Sequence, residues 1–215
     1  MPRLMPDFGR DLNEKIAASI QLPITFERLR TLARPGTDQY RLLHRAKIEA
    51  AYEMAFLRIF IAWEDALEQS FIRYLAGYSN SIGPLTPATT IVFHKKITTA
   101  EAYLYGGRDF LLWHNTTKVI QRSQRFFNLG LHELIFQSNS ARLNDFAAIR
   151  HRIAHGQDDS KNKFNQATMT IAGKRYLGSR PGPFLRDWDR SATPNRRWIE
   201  TISNEFVGLI RQIVP

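Results

Sequence analysis

The sequence predicts an all-α protein, a helical bundle around one long central helix. Three observations carry this. Residues 38–76 contain neither proline nor glycine. Within them, Met54, Phe56, Leu57, Ile59, Phe60, Ile61, Trp63, Leu67, Phe71, Ile72 and Leu75 go most of the way round a helical circumference. A helix apolar on most sides is a buried one. Finally, Trp198, Ile199, Ile202, Phe206, Leu209, Ile210 and Ile213 form one amphipathic stripe near the end of the chain.

The composition narrows the functional classes. Of the 215 residues, 43% are hydrophobic and 12% aromatic, enough for a substantial core. There is no cysteine, so disulfides, thiolate metal sites and cysteine nucleophiles are excluded. The first residues lack the apolar stretch of a signal peptide, and the run from Met54 to Trp63 is too short to span a bilayer. A soluble, cytoplasmic protein with no membrane partner is expected. The net charge is +10, unevenly spread: residues 108–215 carry 17 Lys and Arg against 9 Asp and Glu. A basic half on a globular chain points to a polyanion, most often nucleic acid, although a basic surface can also serve solubility alone.

Taken in order, residues 10–33 read as a helix with Ile16, Ile20, Ile24 and Leu29 on its apolar side, which Pro23 should end or kink. Residues 1–37 are expected to form an N-terminal helical extension and residues 38–215 the main domain. The long helix has a cap at Thr37 or Asp38 and a stop at Gly77. Its acidic patch, Glu64, Asp65 and Glu68, reads as a solvated stripe pairing with Arg73 or a neighbouring helix. Residues 79–97 form a connector in which Thr89–Phe93 could be extended. Thr98 with Glu101 resembles a capping box opening a short helix, closed by Gly106-Gly107. Asn115 or Thr116 caps a helix to Phe127 with Lys118, Arg122 and Arg125 on one side. Short helices follow over 129–136 and 160–171, residues 173–182 form a loop, and Thr193-Pro194 opens the last helix.

One stretch stands apart. Arg150-His151-Arg152-Ile153-Ala154-His155-Gly156 holds four basic side chains at the end of a helix over 141–155, with Gly156 expected at the left-handed C-terminal position. At about 100° per residue, Phe146, Ile149 and Ile153 share one face. His151 and His155 fall nearly opposite, with Ala154, Ala147 and Leu143 between them and Arg150. Arg152 falls between the faces.

Three readings compete. Cations in the last turn are favoured by the helix dipole, with no further role. Two histidines four apart could ligate zinc, but the zincin glutamate position is Arg152, two arginines repel a dication, and no further ligand cluster stands out. No metal and no cofactor is therefore expected. The third reading is phosphate chemistry. Arginine clamps phosphate oxygens, and histidine moves protons near neutral pH. A twofold pair of such helices would bring two Arg–His sets to one cleft, with Ala147 and Ala154 permitting close approach.

Arg150, four intervening residues and His155, with His151 as a polar residue directly after the arginine, resemble the R-x4–6-H motif of HEPN domains. Ala62-Trp63-Glu64-Asp65-Ala66-Leu67-Glu68, the segment from Leu131 through Gly156, Pro181-Gly182-Pro183-Phe184-Leu185 and the terminal amphipathic helix resemble the RiboL-PSP-HEPN branch. The resemblance covers roughly residues 40–214. It implies a metal-independent endoribonuclease that cleaves RNA through 2′-OH attack. The homodimer would share a composite site of Arg150, His155 and His151, with Arg152, Lys161, Lys163, Arg122 and Arg125 on the RNA. Such proteins are often toxins or antiviral defence components, which implies an antitoxin or other inhibitory partner. Toxins silenced by AMP transfer carry a tyrosine two residues after the motif histidine. Here Gln157 stands there, against silencing of that type. The alternative is a non-catalytic RNA-binding or dimerisation module of the same fold.

Overall fold

The structure, a computed structural model, describes residues 3–89 and 91–215. It is an all-α protein: among the described residues ten α-helices dominate, and strands are reduced to two- or three-residue pieces. No helix is long and apolar enough to cross a membrane among the described residues. The chain divides into two compact units, one of residues 1–12, 63–144 and 206–215, the other of residues 13–62 and 145–205. Neither is bounded at residue 37.

Helix α1 spans Phe8–Leu32 and continues through Pro23. Pro23 is itself buried, one turn beyond Ile16 and Ile20, so packing of that side outweighs the missing backbone donor. The expected apolar residues Ile24 and Leu29 are instead 41% and 38% exposed. The long helix is broken near its start, into α2 (Asp38–Leu42) and α3 (Arg45–Leu75). Thr37 caps α2 as expected. The break has a long-range cause: Arg30 Nη1 donates to the carbonyl of Leu43 at 2.6 Å, and His44 Nδ1 accepts from Ala46 N to start the next helix.

In the first unit, strand β1 (Arg3–Leu4) pairs in parallel with β2 (Tyr78–Asn80), and β2 pairs antiparallel with β3 (Gly83–Pro84). Of the run expected to be extended, Thr90 lies outside the described residues and Ile91–Phe93 belong to no strand. Helix α4 (Ile97–Tyr105) begins one residue before Thr98 and has no side-chain cap, so the Thr98–Glu101 box is not formed. Asn115 caps α5 (Thr116–Phe126), its side chain accepting from Lys118 N. Helix α6 covers Leu131–Ser138. The core is aromatic: Trp63 stacks on Phe206 at 5.0 Å and on Phe136 at 6.4 Å, while Phe71 meets Trp113, Phe126, Phe127 and His132. The acidic patch pairs with segments later in the chain, Glu64 with His114 at 2.8 Å and Glu68 with the Tyr105 hydroxyl; Arg73 turns to Gln69 instead.

In the second unit, α8 (Asp158–Ala172) is followed by a 3₁₀ turn over Leu177–Ser179 and by α9 (Pro181–Arg186). Phe184 packs on Phe164, Tyr176 and Trp198. Gly182 lets this helix touch α3: a Cβ there would lie 2.7 Å from the Glu49 backbone. Strands β4 (Trp188–Asp189) and β5 (Arg196–Arg197) form a hairpin that contains Thr193-Pro194 in its connection. The last helix, α10, therefore starts at Trp198, and Glu200 accepts from Arg197 N at its head.

Candidate functional site

Helix α7 (Ser140–Ala154) carries the motif at its C-terminal end. Phe146 and Ile149 are fully buried, which fixes the helix's rotation and turns the opposite face outward. Leu143, expected beside the alanines on that outward face, is buried too. Ala154 is exposed and Ala147 half-buried.

The end of α7 is not closed as expected. Gly156 is absent from the left-handed glycines, so it does not make the αL cap. Side chains do the work instead. Ser160 Oγ donates to the carbonyls of His155 and Gln157 at 2.9 and 2.6 Å. Arg152 Nη1 donates to the same His155 carbonyl and to Ser160 Oγ, both at 3.3 Å, while its Nε donates to the Ser179 carbonyl at 3.0 Å. The bonds to His155 satisfy a carbonyl that the end of α7 leaves without a helical partner. Arg152, expected on the RNA, is thus a structural tie between α7, the head of α8 and the 3₁₀ turn. Its intermediate wheel position turned it to that seam.

Arg150, two residues earlier, is half-buried and has no hydrogen-bond or ion-pair partner among the described residues. His155 is exposed, and its ring centroid lies 4.5 Å from that of His151 at an interplanar angle of 47°. The pKa of His151 is lowered, first by partial burial and then by the charges of His155, Lys163 and Arg150, with Asp159 opposing. His151 therefore favours its neutral form, in which one ring nitrogen can accept a proton.

Lys161 and Lys163 stand on α8 as solvent-facing cations, but each meets a carboxylate one turn back: Lys161 with Asp158 at 2.6 Å and Lys163 with Asp159 at 2.7 Å. Asp158 and Asp159 also suit the positive end of α8. Sequence reasoning passed over Asp159 and Ser160; the signal was present in Asp158-Asp159-Ser160 directly after the motif, where a helix head needs acids and a hydroxyl.

Arg122 and Arg125 belong to the first unit and Arg150, His151, Arg152, His155, Lys161 and Lys163 to the second. Arg122 is half-buried and packs 4.3 Å from the Trp113 ring centroid, and burial pulls its pKa down to about 10. Arg125 is exposed. His132 gives the opposite case to the α7 pair. It is fully buried, its Nε2 is 3.0 Å from Ser70 Oγ, and burial holds its pKa at about 3. It is a neutral core residue.

No group of three or more His, Asp or Glu side chains is arranged to hold a metal ion among the described residues. The site offers instead one guanidinium without a partner among the described residues and two imidazoles 4.5 Å apart. Such groups can bind a phosphate and move protons around it. Compared with family models, curated proteins and solved structures, the chain matches none.

Proposed function

We propose that the protein is a metal-independent endoribonuclease of the HEPN type, acting in the cytoplasm as a homodimer in which two α7 ends face one another. The observation that carries the reading is the chemistry left open there: Arg150 has no partner among the described residues, and His155 is exposed beside a neutral-leaning His151. The R-x4-H spacing of Arg150 and His155 and the all-α fold agree with it.

In this mechanism a histidine of the α7 pair removes the proton of a ribose 2′-OH. The 2′-oxygen attacks the adjacent phosphorus, and Arg150 holds the charge that develops on the non-bridging oxygens. A second imidazole protonates the departing 5′-oxygen, leaving a 2′,3′-cyclic phosphate and a 5′-hydroxyl. Two imidazolium ions at 4.5 Å repel, so the doubly charged pair is disfavoured. The dimer supplies a second set. A toxin or defence role, with an inhibitory partner, is the biological setting this activity fits.

The experiment incubates the full chain with RNA in EDTA, beside Arg150→Ala and His155→Ala, and identifies the product ends. Cleavage in EDTA with cyclic phosphate ends, lost in both variants, is expected. Cleavage abolished by EDTA would overturn the mechanism. RNA binding without any cleavage would favour a non-catalytic module.

A further inference from the structure

Three hollows on the second unit adjoin one another. The first, of about 500 Å³, is lined by Glu27, Arg30, Tyr40, Arg186 and Arg197. The second, of about 460 Å³, shares Arg186 and Arg197 and adds Arg45, Lys174 and Trp188. The third, of about 390 Å³, shares Lys174 and Trp188 and adds Arg190. Shared walls set them side by side, and together they are treated as one groove. Six cations line it against three carboxylates, Glu27, Asp187 and Asp189.

The excess charge is real at the level of individual contacts. Arg186 and Arg197 share the one carboxylate of Glu27. Arg30 donates to the carbonyls of Leu43 and Tyr40 and to the Tyr40 hydroxyl, all neutral acceptors. Arg190 is exposed and has no partner among the described residues. Arg45 is met by Glu49, a carboxylate it shares with Arg180; Lys174 is met by Asp187, and Asp189 is held by Ser191 and Thr201. At the junction of two hollows, Trp188 is 49% exposed, and the Arg197 guanidinium lies 4.7 Å from its ring centroid. An indole held from one side by a cation and open to solvent elsewhere is a stacking platform.

We infer that this groove binds single-stranded RNA, with guanidiniums along the phosphates and a base stacked on Trp188. A basic groove that follows the backbone, combined with an exposed aromatic face, is the general solution for single strands. Acidic peptides carry no flat base to use the indole, and duplexes bury their base faces. The inference rests on the ribonuclease reading only in naming the polymer as RNA. It assigns substrate recruitment to residues outside the Arg150–His155 motif, and four of the six cations, Lys174, Arg186, Arg190 and Arg197, come from the basic half of the chain.

The test measures fluorescence anisotropy of a labelled 2′-O-methyl oligouridine, which has no free 2′-OH to cleave, with the full chain. Wild type should bind this strand without cleaving it. Trp188→Ala should weaken binding about tenfold, the scale of one lost base stack, and Trp188→Phe should restore most of it. Arg190→Glu should weaken binding and flatten its salt dependence. A duplex of equal length, or polyglutamate as competitor, should bind more weakly. Unchanged binding in Trp188→Ala and Arg190→Glu, both folded by circular dichroism, overturns the inference, as does equal affinity for the duplex or polyglutamate. Trp188-dependent binding by a protein that cleaves no RNA leaves the groove standing and removes the ribonuclease reading.

Discussion

Arg150 and Arg152 sit two residues apart on the same helix end, and their circumstances are opposite. Arg152 reaches three acceptors, on His155, Ser160 and Ser179, and ties the end of α7 to the segments that follow. Arg150 reaches none among the described residues and lies on the side of the two imidazoles. A residue type in a motif does not fix its role. The rotation of the helix, set by buried Phe146 and Ile149, turns one guanidinium toward the protein and leaves the other without a partner among the described residues.

This contrast is open to direct attack. Arg150→Ala should lower the rate of RNA cleavage by roughly 10²–10³, the scale of losing one charge-stabilising donor, while urea unfolding stays within about 0.5 kcal/mol of wild type. Arg152→Ala should do the reverse. It removes donors from two carbonyls and a hydroxyl at a helix end, and a loss of about 1–3 kcal/mol in urea unfolding is expected, with cleavage retained wherever the variant is folded. If Arg152→Ala were instead stable and inactive, the two arginines would have to exchange roles.

The histidines sharpen the same comparison through pH. Because the folded state holds His151 below its ordinary value, the unfolded chain binds a proton first as the pH falls. Its contribution therefore favours folding above about pH 6.5 and is lost as the pH drops below that value. His132 acts in the same direction over a wider window, from about pH 6.5 toward 3. A proton–carbon NMR titration should show His151 titrating below 6.5 and His132 remaining neutral through pH 5. His155→Ala should bring His151 back toward the ordinary value, since the neighbouring ring is one cause of its shift.

The smallest effect comes from one of a pair of glycines. Gly156→Ala meets open space at a backbone that is not left-handed, so stability should change by less than about 1 kcal/mol. Gly182→Ala would press a methyl group against the Glu49 backbone and should destabilise by about 1–3 kcal/mol. Thermal unfolding of the pair reads the difference.

These glycines also mark how far the sequence could be read. Local signals served well: the Thr37 and Asn115 caps, the stripe from Trp198 to Ile213, and the placing of Arg150, His151 and His155 at one helix end. What failed depended on partners outside the run being read. The break before α3 needs Arg30, which is 13 residues from the carbonyl it takes. The closure of α7 needs Ser160 and Arg152, so a glycine in the expected place carries no cap. The late start of α10 needs the β4–β5 pairing, invisible in runs of two residues. For the site, the position of each cation was legible but its availability was not. That property depends on which carbonyls and carboxylates the fold brings within reach, as Arg152, Lys161 and Lys163 show.

The most direct test of the account is the single-turnover rate of RNA cleavage in EDTA by wild type and by His155→Ala at equal concentration. The open imidazole of α7 is assigned the proton transfer, so the variant should be slower by roughly 10²–10⁴ with unchanged unfolding. Equal rates would show that the end of α7 is not where the chemistry occurs.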